Sequence, residues 1–169
     1  MQLQLNNINY KALNWVKEDN VSSNDRATQF EEQNSLFREK GFTKHNTLYF
    51  RAFDVDVNVH KFCKTLFPRY SVGVMKQPPG QTLPEHKDTF YMFAKEYNID
   101  PSHCCRINIF LEDWQSGHYF EIEQKPVIKW KAGDAIMIKH NVPHLSGNMG
   151  MTTKYTMQVT GVLSEFKRG

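Results

Sequence analysis

Cysteine is scarce in this chain, and the cysteines present do not suit a disulfide framework or a zinc ribbon. They are Cys63, Cys104 and Cys105. Their number is odd, two of them are adjacent, and the sequence contains no Cys-x-x-Cys pair. Thiols of this kind are kept reduced in the cytosol, so we expect a cytoplasmic protein.

Long apolar runs are missing as well. None approaches the roughly 20 residues that span a bilayer, so we expect no membrane segment. The first residues, MQLQLNNINYKALNW, lack the basic and apolar regions of a signal peptide. The formal net charge is only +3, so nucleic acid is not a favoured partner.

Repeats and low-complexity tracts are also absent, and the remaining composition is that of a globular protein. Hydrophobic residues make up 40% and charged residues 23%, which favours a packed core. The length suits one domain. We therefore predict a single domain over 1–169, with a helical support in 1–69 and a β-rich core in 70–164. Within the support, residues 1–25 are weakly patterned and are expected to form an arm or cover an edge.

Two helices and one strand are predicted in the N-terminal support. ATQFEEQNSLFREKGF (27–42) is typical of a short helix, and NTLYFRAF (46–53) is typical of a strand. Apolar residues then recur at helical spacing over 55–66, with Asp54 or Asp56 as the N-cap. The apolar stripe of this second helix is expected to cover a sheet.

From residue 70 onward, short β-type runs alternate with turn signals. Eight strands at this spacing favour a sandwich or barrel, and a jelly roll fits the count. The segment 89–103 breaks the rhythm and is predicted to be a helical or looped insertion. The predicted strands are YSVGVMKQ (70–77), QTLPEHKD (81–88), CRINIFLE (105–112), GHYFEIEQ (117–124), PVIKWK (126–131), AIMIKHN (135–141), PHLSGN (143–148) and TKYTMQVTGVL (153–163).

The short stretch EHKDTF on the second of these strands contains a candidate pair of metal ligands. Residues i and i+2 of a strand point to the same face, so His86 and Asp88 project together. In a jelly roll the second and seventh strands are neighbours, which makes His144 the candidate third ligand. Among the other histidines, His118 opens a strand and can line the barrel mouth, and His60 is interpreted as solvated because it lies off the apolar stripe of its helix. His45 lies outside the strand series, His103 in a loop and His140 at the end of a strand.

Two imidazoles and one carboxylate on one face of an ion form the facial triad of non-haem iron(II) oxygenases. A zinc hydrolase can use the same three ligands, so the triad alone does not identify the metal. A His-x-Asp pair also occurs by chance, which leaves an incidental pair in a structural domain as an alternative.

Two longer stretches around these ligands resemble a known family. YSVGVMKQPPGQTLPEHKD and WKAGDAIMIKHNVPH are similar to the 2-oxoglutarate- and iron(II)-dependent oxygenases, nearest the prolyl-hydroxylase-like branch. The resemblance covers about residues 70–161. It implies a mainly β, cupin-like double-stranded β-helix, with iron(II) on His86, Asp88 and His144.

The resemblance also implies a cosubstrate site. The family has a basic residue about ten positions after the distal histidine and often a hydroxyl residue two further on, and here these are Lys154 and Thr156. Many members carry Arg-x-Ser, and lysine offers a point charge in place of a bidentate fork. Tyr70 matches a family tyrosine that hydrogen-bonds the cosubstrate. The alternatives are a solvated strand lysine for Lys154 and a core aromatic for Tyr70.

Two further residues are candidates for substrate binding. Arg106 shares a strand face with Asn108 and Phe110, where it can hold a substrate carboxylate or bridge the surface. Asn148 lies four residues after the distal histidine, where it can line the pocket mouth or form the turn after Gly147.

The implied activity is hydroxylation of an unactivated C–H bond, with 2-oxoglutarate and O2 as cosubstrates and succinate and CO2 as products. The substrate is not indicated, since the wider family acts on prolyl side chains, amino acids, lipids, sugars and nucleobases. The insertion 89–103 is our candidate for a lid over the site. The alternatives are a cupin-type jelly-roll isomerase and a non-catalytic binding module.

Overall fold

The computed structural model describes residues 9–19, 21 and 31–167. Within them, ten strands form two antiparallel sheets. The major sheet has the order β1-β2-β3-β10-β5-β8 and the minor sheet the order β4-β9-β6-β7. The strands are β1 (Val16–Asp19), β2 (Leu48–Ala52), β3 (Tyr70–Gln77), β4 (Gln81–Lys87), β5 (Cys104–Phe110), β6 (His118–Ile122), β7 (Lys125–Val127), β8 (Ala135–Lys139), β9 (Pro143–Asn148) and β10 (Lys154–Val162).

The predicted fold class, a mainly β double-stranded β-helix, is confirmed. Each of the eight predicted strands is present, and the second and seventh of them, β4 and β9, pair in one sheet. The predicted strand 126–131 is shorter than expected and ends at Val127. Lys129 has a φ of 59°, which an extended strand cannot accommodate.

The N-terminal part contains the predicted strand 46–53 as β2, together with a second strand, β1, that was not predicted. Its helices are α1 (Glu31–Glu39) and α2 (Val57–Leu66), and β1 and β2 extend the major sheet beyond β3. Asp56 is the N-cap of α2, and its side chain accepts a hydrogen bond from the backbone N–H of Asn58. The remaining residues of the predicted arm and the start of the predicted helix 27–42 lie outside the described residues.

The insertion 89–103 contains α3 (Tyr91–Tyr97) and a 3₁₀ turn (Pro101–His103). No helix in the described part of the chain is long and apolar enough to cross a membrane.

Helix α2 covers the outer face of the major sheet. Val59 and Phe62 pack there against Val74, Ile107 and Met157 in the main apolar cluster. The three cysteines are free and buried. Val74, Ile107 and Met157 belong to β3, β5 and β10. Because side chains alternate along a strand, the other residues of these three strands point into the space between the sheets. Many of these inward residues are polar, as the burial of Asn108, Lys154 and Thr156 shows.

Candidate metal centre

The three predicted metal ligands come together at one end of the minor sheet. His86 near the end of β4 pairs in register with His144 of β9, and Asp88 follows just after β4. Their ligand atoms all lie within 4.8 Å of one another, and His144 Nε2 is 3.7 Å from Asp88 Oδ2. Two donors each about 2.1 Å from one ion lie at most about 4.2 Å apart, so small side-chain rotations complete the site.

Each imidazole is held by a backbone carbonyl two residues earlier. His86 Nδ1 lies 2.8 Å from the oxygen of Pro84, and His144 Nδ1 lies 3.0 Å from the oxygen of Val142. A carbonyl oxygen only accepts, so Nδ1 carries the proton and Nε2 presents a lone pair. Burial, reinforced by His144, lowers the pKa of His86 to about 4, and burial also lowers the pKa of His144. Both rings are therefore neutral at pH 7, as metal ligands must be.

Arg106 on β5 fixes the carboxylate of Asp88. Its Nη1 donates a hydrogen bond to Oδ1 at 3.0 Å and lies 2.9 Å from Oδ2. Burial raises the pKa of Asp88, but the positive charge of Arg106 outweighs it, so the pKa is lower than usual. Arg106 is itself buried, which lowers its pKa, and its guanidinium lies 5.5 Å from the ring of Phe90. The pair keeps Asp88 ionised.

Asp88 Oδ2 is buried and receives no hydrogen bond from any residue in the described ranges. Arg106 Nη1 lies 2.9 Å from this oxygen, but its hydrogen bond goes to Oδ1, so Oδ2 keeps its lone pairs free for a metal ion. Together with two Nε2 lone pairs, this oxygen makes a donor set that fits a divalent cation such as iron(II) or zinc. The residues therefore fit the implied metal.

Lys154 begins β10 and points into the space between the sheets. Its Nζ donates to the backbone oxygen of Tyr119 at 2.7 Å, to Ser146 Oγ at 2.6 Å and to the backbone oxygen of Gly147 at 3.0 Å. Only 4% of the residue is exposed, so it is not a solvated strand lysine. Burial lowers its pKa to about 7, and no carboxylate among the described residues contributes to that shift. Thr156 lies on the same inner face and is also buried.

The structure does not bring Tyr70 to this site. Its alternation with Val72 and Val74 places it on the outer face, where its hydroxyl lies 2.9 Å from His60 Nδ1 on α2. The sequence itself shows that Tyr70 alternates with Val72 and Val74. This pattern predicted the position of Tyr70 better than its match to the family tyrosine did.

Asn148 is buried and fully hydrogen-bonded. Its Nδ2 donates to the backbone oxygens of Gln77 and Thr152, and its Oδ1 accepts from the N–H of Gly150. It therefore stabilises the connection between β9 and β10, and it is not placed to bind a substrate.

A cleft of about 490 Å³ opens beside His86, Asp88 and Arg106. His144, Lys154 and Thr156 are not part of its lining and lie deeper between the sheets. The N-terminal strands also contribute to this cleft, which was not predicted from the sequence. The alternation in NTLYFRAF places Tyr49 and Arg51 on one face, and that pattern was the available signal. The other walls include Glu18, Phe53, Gly73, Met75, Phe90, Tyr91, Phe93, Gln158 and Thr160.

No family model and no curated protein matches this chain. Solved structures with a similar fold include one described as a predicted oxalate decarboxylase from Thermotoga maritima, with 20% identity and a TM-score of 0.46 over 69% of this chain and 82% of that chain. KdgF from a Halomonas species has 12% identity and a TM-score of 0.43, covering 66% of this chain and 76% of that chain. A cupin protein from Bacteroides fragilis has 12% identity and a TM-score of 0.43, covering 59% and 71% respectively. The likeness to these three structures concerns the fold alone.

Proposed function

We propose that this protein is an iron(II)- and 2-oxoglutarate-dependent dioxygenase that hydroxylates an unactivated C–H bond of an unidentified substrate. The observation that carries the proposal is a buried ammonium group, Lys154, between the same two sheets as the metal ligands. Cupin-type isomerases and binding modules share the fold, but nothing in either function requires this buried cation.

The surroundings of Lys154 support a ligand with two acidic ends. The ammonium group has three neutral acceptors and no carboxylate partner among the described residues, and burial without a counter-charge disfavours its charged form. Ser146, which it contacts, follows His144 by two residues on the same face of β9, about 7 Å along the strand. A short dicarboxylate held by the metal at one end has its second carboxylate within reach of Lys154.

The other residues of the site have distinct roles in this proposal. When bound on His86, Asp88 and His144, iron(II) with a 2-oxo acid and O2 supplies the oxidising equivalent for C–H hydroxylation, with release of succinate and CO2. The carbonyls of Pro84 and Val142 hold the imidazole protons on Nδ1. Arg106 holds Asp88 ionised.

Two further pairs of residues have roles outside the metal centre. Lys154 and Thr156 bind the distal carboxylate of the 2-oxo acid, which replaces one of the three protein acceptors of Lys154 Nζ. Phe90 and Tyr91 shield the cleft from water, and a lid movement of 89–103 stays a prediction.

Anaerobic titration of the protein with iron(II) and 2-oxoglutarate tests the proposal. We expect a weak visible charge-transfer band that is absent in Asp88→Ala and appears only at much higher 2-oxoglutarate concentration in Lys154→Ala. The matched control is Lys139→Ala, which removes an exposed strand lysine and should leave the titration unchanged. A protein that binds iron(II) without developing the band is better described as a cupin-type isomerase, and one that binds neither is a binding module.

A further inference from the structure

Asn108 occupies an unusual position on the inner face of β5. It lies between Arg106 and Phe110 on that face, and only 1% of the residue is exposed. Its Nδ2 finds no hydrogen-bond acceptor among the residues that the structure describes. A buried amide donor without an acceptor is rare in native proteins, and it points to a group that the protein itself does not supply.

Asn108 lies next to one residue that lines the cleft and two residues from one that holds a metal ligand. Its register partner on β10 is Gln158, which lines the cleft, and Arg106 two residues away is bonded to Asp88. Among the described residues, the only other buried side-chain atom without a hydrogen-bond partner is Asp88 Oδ2. Asp88 Oδ2 is an acceptor and suits a cation, whereas Asn108 Nδ2 is a donor and suits an anion.

The register of β5 and β10 also places Asn108 between the two ends of the inner site. Arg106 pairs with Thr160 at the metal end, and Phe110 pairs with Thr156 toward Lys154. The pair of Asn108 with Gln158 lies midway between these two pairs. A ligand that extends from the metal to Lys154 therefore passes Asn108.

We propose that Asn108 Nδ2 donates a hydrogen bond to a carboxylate oxygen of the 2-oxo acid held at the metal. Asn108 is then a binding residue for the cosubstrate, reached from a different strand than Lys154. The inference rests on the proposed function, because the acceptor it names belongs to the 2-oxo acid. A carboxylate suits this donor because it has acceptors only and because hydrogen bonds to ionised acceptors are the stronger ones.

The first test compares two asparagines of equal burial in the protein without metal or 2-oxo acid. Asn108 and Asn148 are each 1% exposed, but Asn148 makes three hydrogen bonds while Nδ2 of Asn108 makes none. We expect Asn108→Leu to raise the unfolding temperature by about 2–4 °C, since it removes an unpaired donor, and Asn148→Leu to lower it by a similar amount or more. A fall in the unfolding temperature of Asn108→Leu would show a structural hydrogen bond and overturn the inference.

The second test measures the affinity for 2-oxoglutarate through the charge-transfer band in the iron(II)-loaded protein. We expect Asn108→Leu to bind about 10- to 100-fold more weakly. Asn108→Asp keeps the shape, replaces the donor by a negative charge, and should bind more weakly still. The iron(II) affinity of Asn108→Leu should stay close to that of the wild type.

The two proposals fail in different ways. If the wild type develops no band, the dioxygenase proposal fails first. If the wild type develops the band and Asn108→Leu binds 2-oxoglutarate as tightly, the dioxygenase proposal stands and the role of Asn108 is refuted.

Discussion

The two faces of the major sheet are built from the same strands and do different work. On β3, β5 and β10 the outer face carries Val74, Ile107 and Met157, which pack under α2. The inner face of the same strands carries buried polar groups, including Arg106, Asn108 and Lys154. Because side chains alternate along each strand, the outer face contributes to stability and the inner face to ligand binding. A substitution on the outer face should therefore leave ligand binding largely intact, and one on the inner face should leave stability largely intact.

The largest expected effect is the loss of metal binding on the inner side. His144→Ala removes one of three ligands, so only His86 and Asp88 remain to hold the ion. We expect no stoichiometric iron(II) binding by calorimetry under anaerobic conditions, while the circular dichroism spectrum stays native. Tight binding by this variant would show that the ion is held elsewhere.

A core truncation on the outer face should give the opposite pattern. Met157 is fully buried beneath α2, and we expect Met157→Ala to lower the free energy of unfolding by about 2–5 kcal/mol in urea denaturation. Iron(II) should still bind with one ion per chain. If metal binding is lost while the fold persists, the two faces are not independent.

Arg106 tests how far the inner face depends on an ion pair. Arg106→Gln leaves Asp88 without its charged partner, so the carboxylate is less ionised and less well oriented. We expect an iron(II) affinity about 10- to 100-fold weaker in a chelator competition assay. An unchanged affinity would mean that the imidazoles alone orient the carboxylate.

The buried lysine predicts a pH dependence of stability in the ligand-free protein. Burial lowers the pKa of Lys154 to about 7, so between that pH and its ordinary pKa the unfolded state binds more protons than the folded state. Stability should therefore rise with pH over this window, by at most about 1.4 kcal/mol per pH unit from this group.

The control for this titration is Lys154→Met, which has no ionisable group at that position. Urea denaturation at pH 7.5 and pH 9 should show a smaller rise for Lys154→Met than for the wild type. Equal slopes for the two proteins would contradict a lowered pKa at Lys154.

The smallest effect is expected at Tyr70, on the outer face. Tyr70→Phe removes a partly exposed hydroxyl contact with His60, and we expect a loss of about 0.5–1.5 kcal/mol in the free energy of unfolding. The affinity for 2-oxoglutarate should not change. A weaker affinity for 2-oxoglutarate in this variant would show that Tyr70 contributes to the cosubstrate site.

Much of the fold and of the metal centre could be predicted because both depend on the period of two along single strands. His86 with Asp88 needs only an i, i+2 relation and a known strand order, whereas Lys154 and Thr156 were located through the family resemblance. The contribution of Tyr49 and Arg51 was missed because it depends on how β2 pairs with β3, a long-range contact that strand periodicity does not encode. The contact of Asn148 with Gln77 was missed for the same reason, because it joins strands of the two different sheets.

The division of labour between the two sheets has a further consequence. The metal ligands all belong to the minor sheet or its immediate end, whereas Lys154, Thr156 and Asn108 belong to the major sheet. A 2-oxo acid that contacts the metal and these three residues connects the minor sheet to the major sheet. Its binding free energy then opposes separation of the layers, so the protein should resist heat and proteases far better with the 2-oxo acid and metal together than with metal alone.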